Sequence, residues 1–444
     1  MVSDKGFLEE ELKRFRGSSR RAEMLTGKRY HEGRHDILSR NRTCIGRDGK
    51  VEVLRNLPNN RLVDNQYARA VEQKADFLMA KPVSFECEDE VYASALRQFF
   101  NRGFLRLLKS VAKDAIDCGI SWMHPYYTED GKFTVRSFHG YEIMPFWKDS
   151  AHTELECALR LYERECVEDG KCVRREFAEL YDRYGITFFD VEEQGLSPVR
   201  FAPYLVRDGQ SLSWERVPLI PFRYNEQEIP LIRRVKPLQD ALNEVWSDWA
   251  NGIQSNPYNE ILVIKNYDGA DLKEFLHNLA AYGAVKVRTV DGTDGGLERM
   301  EVEVDAEGYQ CVIRELKRAI LENAMGFDAR DVRVGSNPNQ MSLRSMYTDL
   351  ELDANSMESE FHDALLSLLA FYAAHLALTG VGDFGSEAVR LTFNRDMLIN
   401  EREIMSSLIQ AGLKLSNRTL VGQVPFVDDV AEEIARIEKE VETV

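Results

Sequence analysis

The sequence predicts an α+β fold, mainly helical, with its strands paired antiparallel. Three observations carry that expectation. Residues 337–380 place apolar side chains at three- and four-residue steps over a stretch far longer than an ordinary helix. After Gly119 the pattern changes to period two, in aromatic-rich runs divided by turn residues. No Gly-rich phosphate loop and no regular alternation of strand with helix accompanies them, so a doubly wound parallel sheet is not indicated.

Taken in order, residues 7–26 alternate charged and apolar residues at helical spacing, and Gly27 reads as the end of that helix. His31, Glu32 and His35 then match a pattern in which two histidines one helical turn apart bind zinc and the glutamate acts as base. Gly33 falls inside the helix this would need, the flanks are not those of an apolar core helix, and Glu52 is the nearest downstream third ligand. The pattern therefore reads as a charged surface segment entering a loop. A helix over 66–80 carries Tyr67, Ala70, Val71, Lys74, Phe77 and Leu78 on one side, and Lys81 with Pro82 stops it. Helices over 89–101 and 104–118 follow. Runs 120–127 and 132–138 flank a turn at 129–131 and predict a hairpin; further strands are expected at 155–163, 173–181 and 186–191.

The second half is organised by helices. Residues 237–255 put Leu238, Ala241, Leu242, Val245, Trp249 and Ile253 on one face, with Asp240, Glu244, Asp248 and Asn251 facing away. A small αβ insertion follows, with strands at 261–265 and 285–290, a helix at 271–281, and a last strand carrying Met300, Val302 and Val304. The helix 306–325 has Asp305 and Gly326 as caps; Tyr309, Val312, Ile313, Leu316, Ile320 and Ala324 mark its apolar face.

The polar stretch 327–339, with Gly335 and Pro338, reads as an exposed loop. The long helix then opens with Asn337 as cap and runs to Gly380, roughly 60 Å at 1.5 Å per residue. Its stripe is Leu343, Tyr347, Leu350, Ala354, Met357, Phe361, Leu365, Leu368, Tyr372 and Leu376. Residues 364–378 are apolar nearly all round, which predicts burial. They fall short of the ~20 residues a bilayer needs and include His375, so no membrane span is expected. A strand at 388–394, a helix at 400–410 and an acidic helix at 430–441 complete the chain.

The net charge of −17 argues against a protein that grips nucleic acid electrostatically, though not against one that lets nucleic acid slide past. The seven cysteines are scattered and form no C-x-x-C pair, so a reduced, intracellular assembly is expected, with neither disulfide framework nor thiolate zinc site. The first residues lack the apolar core of a signal peptide. No cofactor is indicated.

Three stretches together resemble the portal proteins of tailed bacteriophages, in the siphophage type described by clip, stem, wing and crown. Tyr30, Gly33, Asp36 and Ile37, then Asn59 to Arg61 and Asn65, then Lys81 and Pro82, look like that family's N-terminal signature, which makes the zinc pattern a coincidence. Pro218 to Phe222, followed by Val235 to Asn243, Ser247, Asp248 and Asn251, resembles the approach to its first stem helix. Asn400, Glu401, Gly412, Leu415, Ser416, Thr419, Asp429, Glu433, Ile437 and Glu438 resemble its C-terminal pattern. One departure is Asn339 to Ser342, where family members often carry Ser-Gly and a small-residue helix start.

The resemblance implies an N-terminal region and wing over 1–234, stem helices at 235–255 and 305–326, a clip at 256–304, a tunnel loop at 327–339, a long helix and wing return at 340–399, and a crown at 400–444. It implies a ring of this chain, usually dodecameric, at one capsid vertex in the virion, assembled in the host cytoplasm. Double-stranded DNA would pass through it. The terminase large subunit, a head-completion adaptor, and the major capsid and scaffolding proteins would be partners, with no enzymatic activity. Arg330, Asp331, Arg333, Asn337 and Asn339 would meet DNA at the tunnel loop. Asp240, Glu244, Asp248, Glu315, Lys317 and Glu322 would be candidates for the channel side of the stem. Competing readings are another capsid-associated structural protein without a DNA channel, and a zinc hydrolase using His31, Glu32 and His35.

Overall fold

Two helices open the chain where the spacing suggested one. In the computed structural model, α1 (Lys5–Arg16) is capped by Asp4 and α2 (Ser19–His31) by Ser18, with Gly17 between them. Gly27, expected to end a helix, lies inside α2. A Cβ there would stand 2.1 Å from the Asp117 carbonyl oxygen, so the glycine serves a close backbone approach. The structure describes residues 4–255 other than 47, 56, 169, 193, 194 and 208, then 261–265, 277, 296–300, 305–328, 340–395 and a few positions beyond 415. The helix expected at 400–410, the strand at 285–290, the Asn337 cap, and most of the helices at 271–281 and 430–441 lie outside the described residues.

After α2 comes a short hairpin, β1 (Thr43–Ile45) and β2 (Val51–Val53). Next, α3 (Gln66–Leu78) starts at Asn65, whose side chain accepts from the Ala68 amide at 2.9 Å. Past β3 (Ser84–Glu86), α4 (Glu90–Phe99) and α5 (Arg102–Cys118) are capped by Asp89 and Asn101. Gly119 ends α5 at φ 80°. The expected hairpin is β4 (Ile120–Tyr127) with β5 (Phe133–Phe138), and β13 (Ile220–Arg223) completes its sheet in the order β13-β4-β5.

A five-stranded antiparallel sheet lies between them in sequence: β6 (Ile143–Trp147), β7 (Leu155–Glu168), β8 (Lys171–Tyr181), β9 (Gly185–Glu192) and β10 (Gly195–Pro203), in the order β10-β9-β8-β7-β6. A small hairpin, β11 (Leu205–Arg207) with β12 (Gln210–Leu212), follows it. The remaining elements are α6 (Ile232–Ser255), β14 (Ile261–Lys265), β15 (Gly296–Met300), α7 (Ala306–Asn323), α8 (Gln340–Thr379) and β16 (Arg390–Thr392). β14 pairs antiparallel with β15, so α6 leads into a strand pair and α7 leads out of it. β16 pairs with β3, across three hundred residues of chain.

The chain divides into two units, one of Met1–Gly33, Asn65–Lys236 and Ile320–Val444, the other of Arg34–Asp64 and Pro237–Ala319. In the first, the inner face of the five-stranded sheet buries Leu159, Leu161, Ala178 and Leu196 against Leu8 and Leu12 of α1. Along α8, every expected stripe residue from Tyr347 to Leu376 is buried. Its end has the expected geometry: Gly380 sits at φ 77° and the Val381 amide reaches back to the Leu376 carbonyl at 3.0 Å. By length and composition Tyr347–Thr379 would also suit a bilayer. Here His375 stacks on Phe133 at 5.0 Å and lies 3.2 Å from the Tyr127 hydroxyl.

Candidate functional site

The second unit is built on a ladder of polar side chains. Gln239, Asn243, Ser247 and Asn251 stand four residues apart on α6, and all are buried. Along them runs the extended segment 60–64. The Asn60 amide donates to Asn251 Oδ1 at 2.7 Å, the Leu62 amide to Ser247 Oγ at 3.0 Å, and the Asp64 amide to Asn243 Oδ1 at 3.0 Å. Gln239 Nε2 closes the series by donating to the Asp64 carbonyl at 2.8 Å. Four helical residues rise about 6.0 Å and two extended residues about 6.6 Å, so alternate amides meet successive turns.

Asp64 gathers further contacts: Trp246 Nε1 donates to its Oδ2 at 3.0 Å, and Lys317 Nζ of α7 lies 2.7 Å from the same oxygen. Asn243 Nδ2 meets His35 Nδ1 at 2.8 Å. Asn251, expected to face away from the apolar side of the helix, is thus buried. Ile253, expected on the packed face, is 55% exposed.

In the first unit, α3 fixes both sides of the gap between α7 and α8. Gln73 clamps the Phe327 backbone: its Nε2 donates to the Phe327 carbonyl at 2.6 Å and its Oε1 accepts from the Phe327 amide at 2.9 Å. Arg69 pairs with Asp328 at 2.9 Å. The Phe327 ring stacks on Tyr347 at 4.5 Å, and Tyr347 on Phe77 at 6.0 Å. Lys74 is buried and lies 2.7 Å from Asp353 Oδ2, which also accepts from the Tyr224 hydroxyl at 2.9 Å. Burial pushes the Lys74 ammonium below its usual pKa against the pull of Asp353. Phe327, expected to open an exposed loop, therefore belongs to the packed core.

Of the residues singled out from sequence, Arg330, Asp331, Arg333, Asn337 and Asn339 lie outside the described residues. On α6, Asp240 and Asp248 are half-buried and Glu244 is exposed. Arg40 approaches Asp248 Oδ1 at 2.9 Å and Glu244 Oε1 at 3.6 Å. On α7, Glu315 and Glu322 are exposed, whereas Lys317 is committed to Asp64 and lies 5.7 Å from the Trp246 ring centroid.

The zinc pattern does not take its required geometry. His31 is the last residue of α2, and Gly33 turns the chain at φ 79°, so the two histidines are not one helical turn apart. Instead His31 Nδ1 lies 2.6 Å from Asp117 Oδ2 and its Nε2 3.2 Å from Glu72 Oε1. Tyr67 donates to Asp117 at 2.9 Å, and Lys113 bonds Glu72. Burial alone would lower the His31 pKa; the hydrogen bond and charge of Asp117, with help from Glu72, raise it above its usual value.

The chain matches the family model described as phage portal protein, SPP1 Gp6-like, over residues 15–444. Among curated proteins it is 28% identical over 427 residues to the portal protein of Bacillus phage SPP1, an alignment covering 94% of this chain and 83% of that one. It is 27% identical over 434 residues to the portal protein of Clostridium phage phiCD119, covering 94% and 92%. A solved structure of the neck of an empty GTA particle, computed with C6 symmetry, aligns at a TM-score of 0.39 and 13% identity, covering 84% of this chain and 90% of that one.

Proposed function

The chain belongs to the phage portal family, SPP1 Gp6-like, and on that premise we propose that it forms a dodecameric ring at one capsid vertex, through which double-stranded DNA is packaged and later ejected. The match across residues 15–444 carries this reading. Its physical support is the element order: α6, the β14–β15 pair, α7, a stretch anchored at both sides on α3, and then the forty-residue α8. In this proposal α6 and α7 are the stem, and residues 256–304 form a clip that docks the terminase large subunit during packaging and a head-completion adaptor afterwards. The ring assembles in the host cytoplasm with the major capsid and scaffolding proteins.

The chain itself performs no chemistry in this reading. Twelve copies, each carrying −17, give a ring charge on the order of −200. A largely acidic wall repels phosphates and keeps DNA from sticking. Asp240, Glu244, Asp248, Glu315 and Glu322 are the proposed contributors; Lys317 serves the Asp64 contact instead. Arg330 and Arg333, beside Asp331, Asn337 and Asn339, would touch the DNA backbone weakly and without sequence preference. The double substitution Arg330→Gln with Arg333→Gln should lower DNA packaged per particle while rings still form. Tight DNA binding by the wild-type ring that survives high salt would refute an electrostatic, sliding contact.

A further inference from the structure

We propose that Lys74 is a positioning residue for the stretch 329–339: it fixes the turn by which the chain leaves α7, and so the point from which that stretch departs. The inference rests on the tunnel-loop role proposed above. α7 closes with two crossed hydrogen bonds, the Met325 amide donating to the Glu322 carbonyl at 3.0 Å and the Gly326 amide to the Leu321 carbonyl at 2.8 Å. Such a closure holds one residue in the left-handed conformation, and glycine is its usual occupant. Here the residue is Met325, at φ 52°, although Gly326 follows directly and lies outside the left-handed region. A side chain makes that conformation costly.

The neighbours of the turn explain the choice. A Cβ on Gly326 would stand 3.0 Å from Gln73 Oε1, so the glycine serves a close approach to α3. Ending the helix one residue later, with Gly326 left-handed, would advance the chain by about 1.5 Å and rotate it by about 100°. Phe327 would then leave the Gln73 clamp. Lys74, the next residue of α3, opposes the same shift: its Nζ donates to the Met325 carbonyl at 3.4 Å. The Met325 side chain is held as well, with Sδ 3.6 Å from Arg234 Nη1.

One buried ammonium thus ties the strained exit of α7 to the middle of α8. Lys74 donates both to the Met325 carbonyl and to Asp353 Oδ2, and the Tyr224 hydroxyl donates to the same carboxylate. Stability alone does not account for this arrangement. A buried ion pair often contributes no more than well-packed apolar residues of similar volume. Apolar residues cannot supply the donor to the Met325 carbonyl, however, and that donor sits on the one residue of the turn whose backbone is strained. Position and stability can therefore be separated by experiment.

The full-length chain tests this by hydrogen exchange resolved to single amides, with urea unfolding alongside. Lys74→Met, Asp353→Leu and Tyr224→Phe together remove the polar network whole, and should unfold at a higher urea concentration than Lys74→Met alone, which strands a buried carboxylate. The Met325 and Gly326 amides of the triple variant should nevertheless exchange about tenfold faster than in the natural chain. Adding Met325→Gly should return both to the natural rate, since glycine holds the left-handed turn without the ammonium. Unchanged exchange in the triple variant, or no recovery on adding the glycine, overturns the assignment. A variant that leaves the core untouched gives an independent reading: Met325→Gly alone should slow the Gly326 amide, and a rate that does not fall shows an unstrained turn and also overturns it. DNA packaged per particle should drop in the triple variant and recover with Met325→Gly. Normal packaging despite a fast-exchanging exit overturns the positioning role and leaves the portal reading intact, whereas a natural chain that forms no ring overturns both.

Discussion

Replacing Asn243 with alanine should release the segment 60–64 from α6 at one end only. The side chain is fully buried and serves three partners: it accepts from the Asp64 amide and from Gln239 Nε2, and it meets His35 Nδ1. Orphaning a buried donor costs about 1–3 kcal/mol. Gln239 keeps its bond to the Asp64 carbonyl, so the total should be about 3 kcal/mol rather than the sum of three losses. At 1.4 kcal/mol per factor of ten, the Asp64 amide should exchange with solvent deuterium roughly a hundredfold faster. Ser247→Ala should behave differently. It removes the acceptor of the Leu62 amide, but Leu62 is 40% exposed and water can replace the hydroxyl. About 1 kcal/mol is expected, felt at Leu62 and not at Asp64. Hydrogen exchange resolved to single amides decides the matter. An unchanged Asp64 rate in Asn243→Ala, or equal acceleration of Asn60, Leu62 and Asp64 in Ser247→Ala, would refute the one-amide-per-turn reasoning.

Gln73→Leu removes both hydrogen bonds to the Phe327 backbone and should cost about 2 kcal/mol locally, seen as faster exchange at Phe327 with the Asp64 amide unaffected as control. Gly27→Ala puts a methyl group against the Asp117 carbonyl and should destabilise the chain by about 1–3 kcal/mol, read from urea unfolding. Glu228 gives the acid response. Burial would raise its pKa, but the charge of Arg20 and hydrogen bonds from Arg223 and Arg20 hold it below the usual glutamate value. Its contribution is therefore present above that usual value and lost as pH falls through the lowered one. Glu228→Gln should be less stable near neutrality and lose less stability on acidification below about pH 5, measured by thermal unfolding.

Local signals were legible wherever one stretch of chain contained both cause and effect. The β4–β5 hairpin, the α8 stripe and its end at Gly380 follow from neighbours a few residues away, whereas Asn101, expected as the last residue of a helix over 89–101, is the cap of α5. Periodicity places Lys74 on the inner side of α3, but nothing local points to its partner Asp353, which lies 279 residues on. Strands β6 and β10 escaped notice because Pro145 and Pro198 argue against strands; both are edge strands, where proline is tolerated. The polar ladder is hidden in the sequence for a sharper reason. Spacing shows that Gln239, Asn243, Ser247 and Asn251 share a face, but not that the opposite partner is a backbone needing acceptors rather than water. Their neutrality was the available clue, since Asp240, Glu244 and Asp248 on the adjacent side carry charge.

The central claim is that α6 and α7 line an axial channel in a ring of this chain, and that residues 329–339 project into it. A cryo-electron microscopy structure of the assembled protein tests it most directly. The account predicts a closed ring with Asp240, Glu244 and Glu315 facing the axis, Phe327 still clamped by Gln73, and the channel narrowest at 329–339. A ring whose constriction lies elsewhere, with 329–339 on its outer surface, would contradict it.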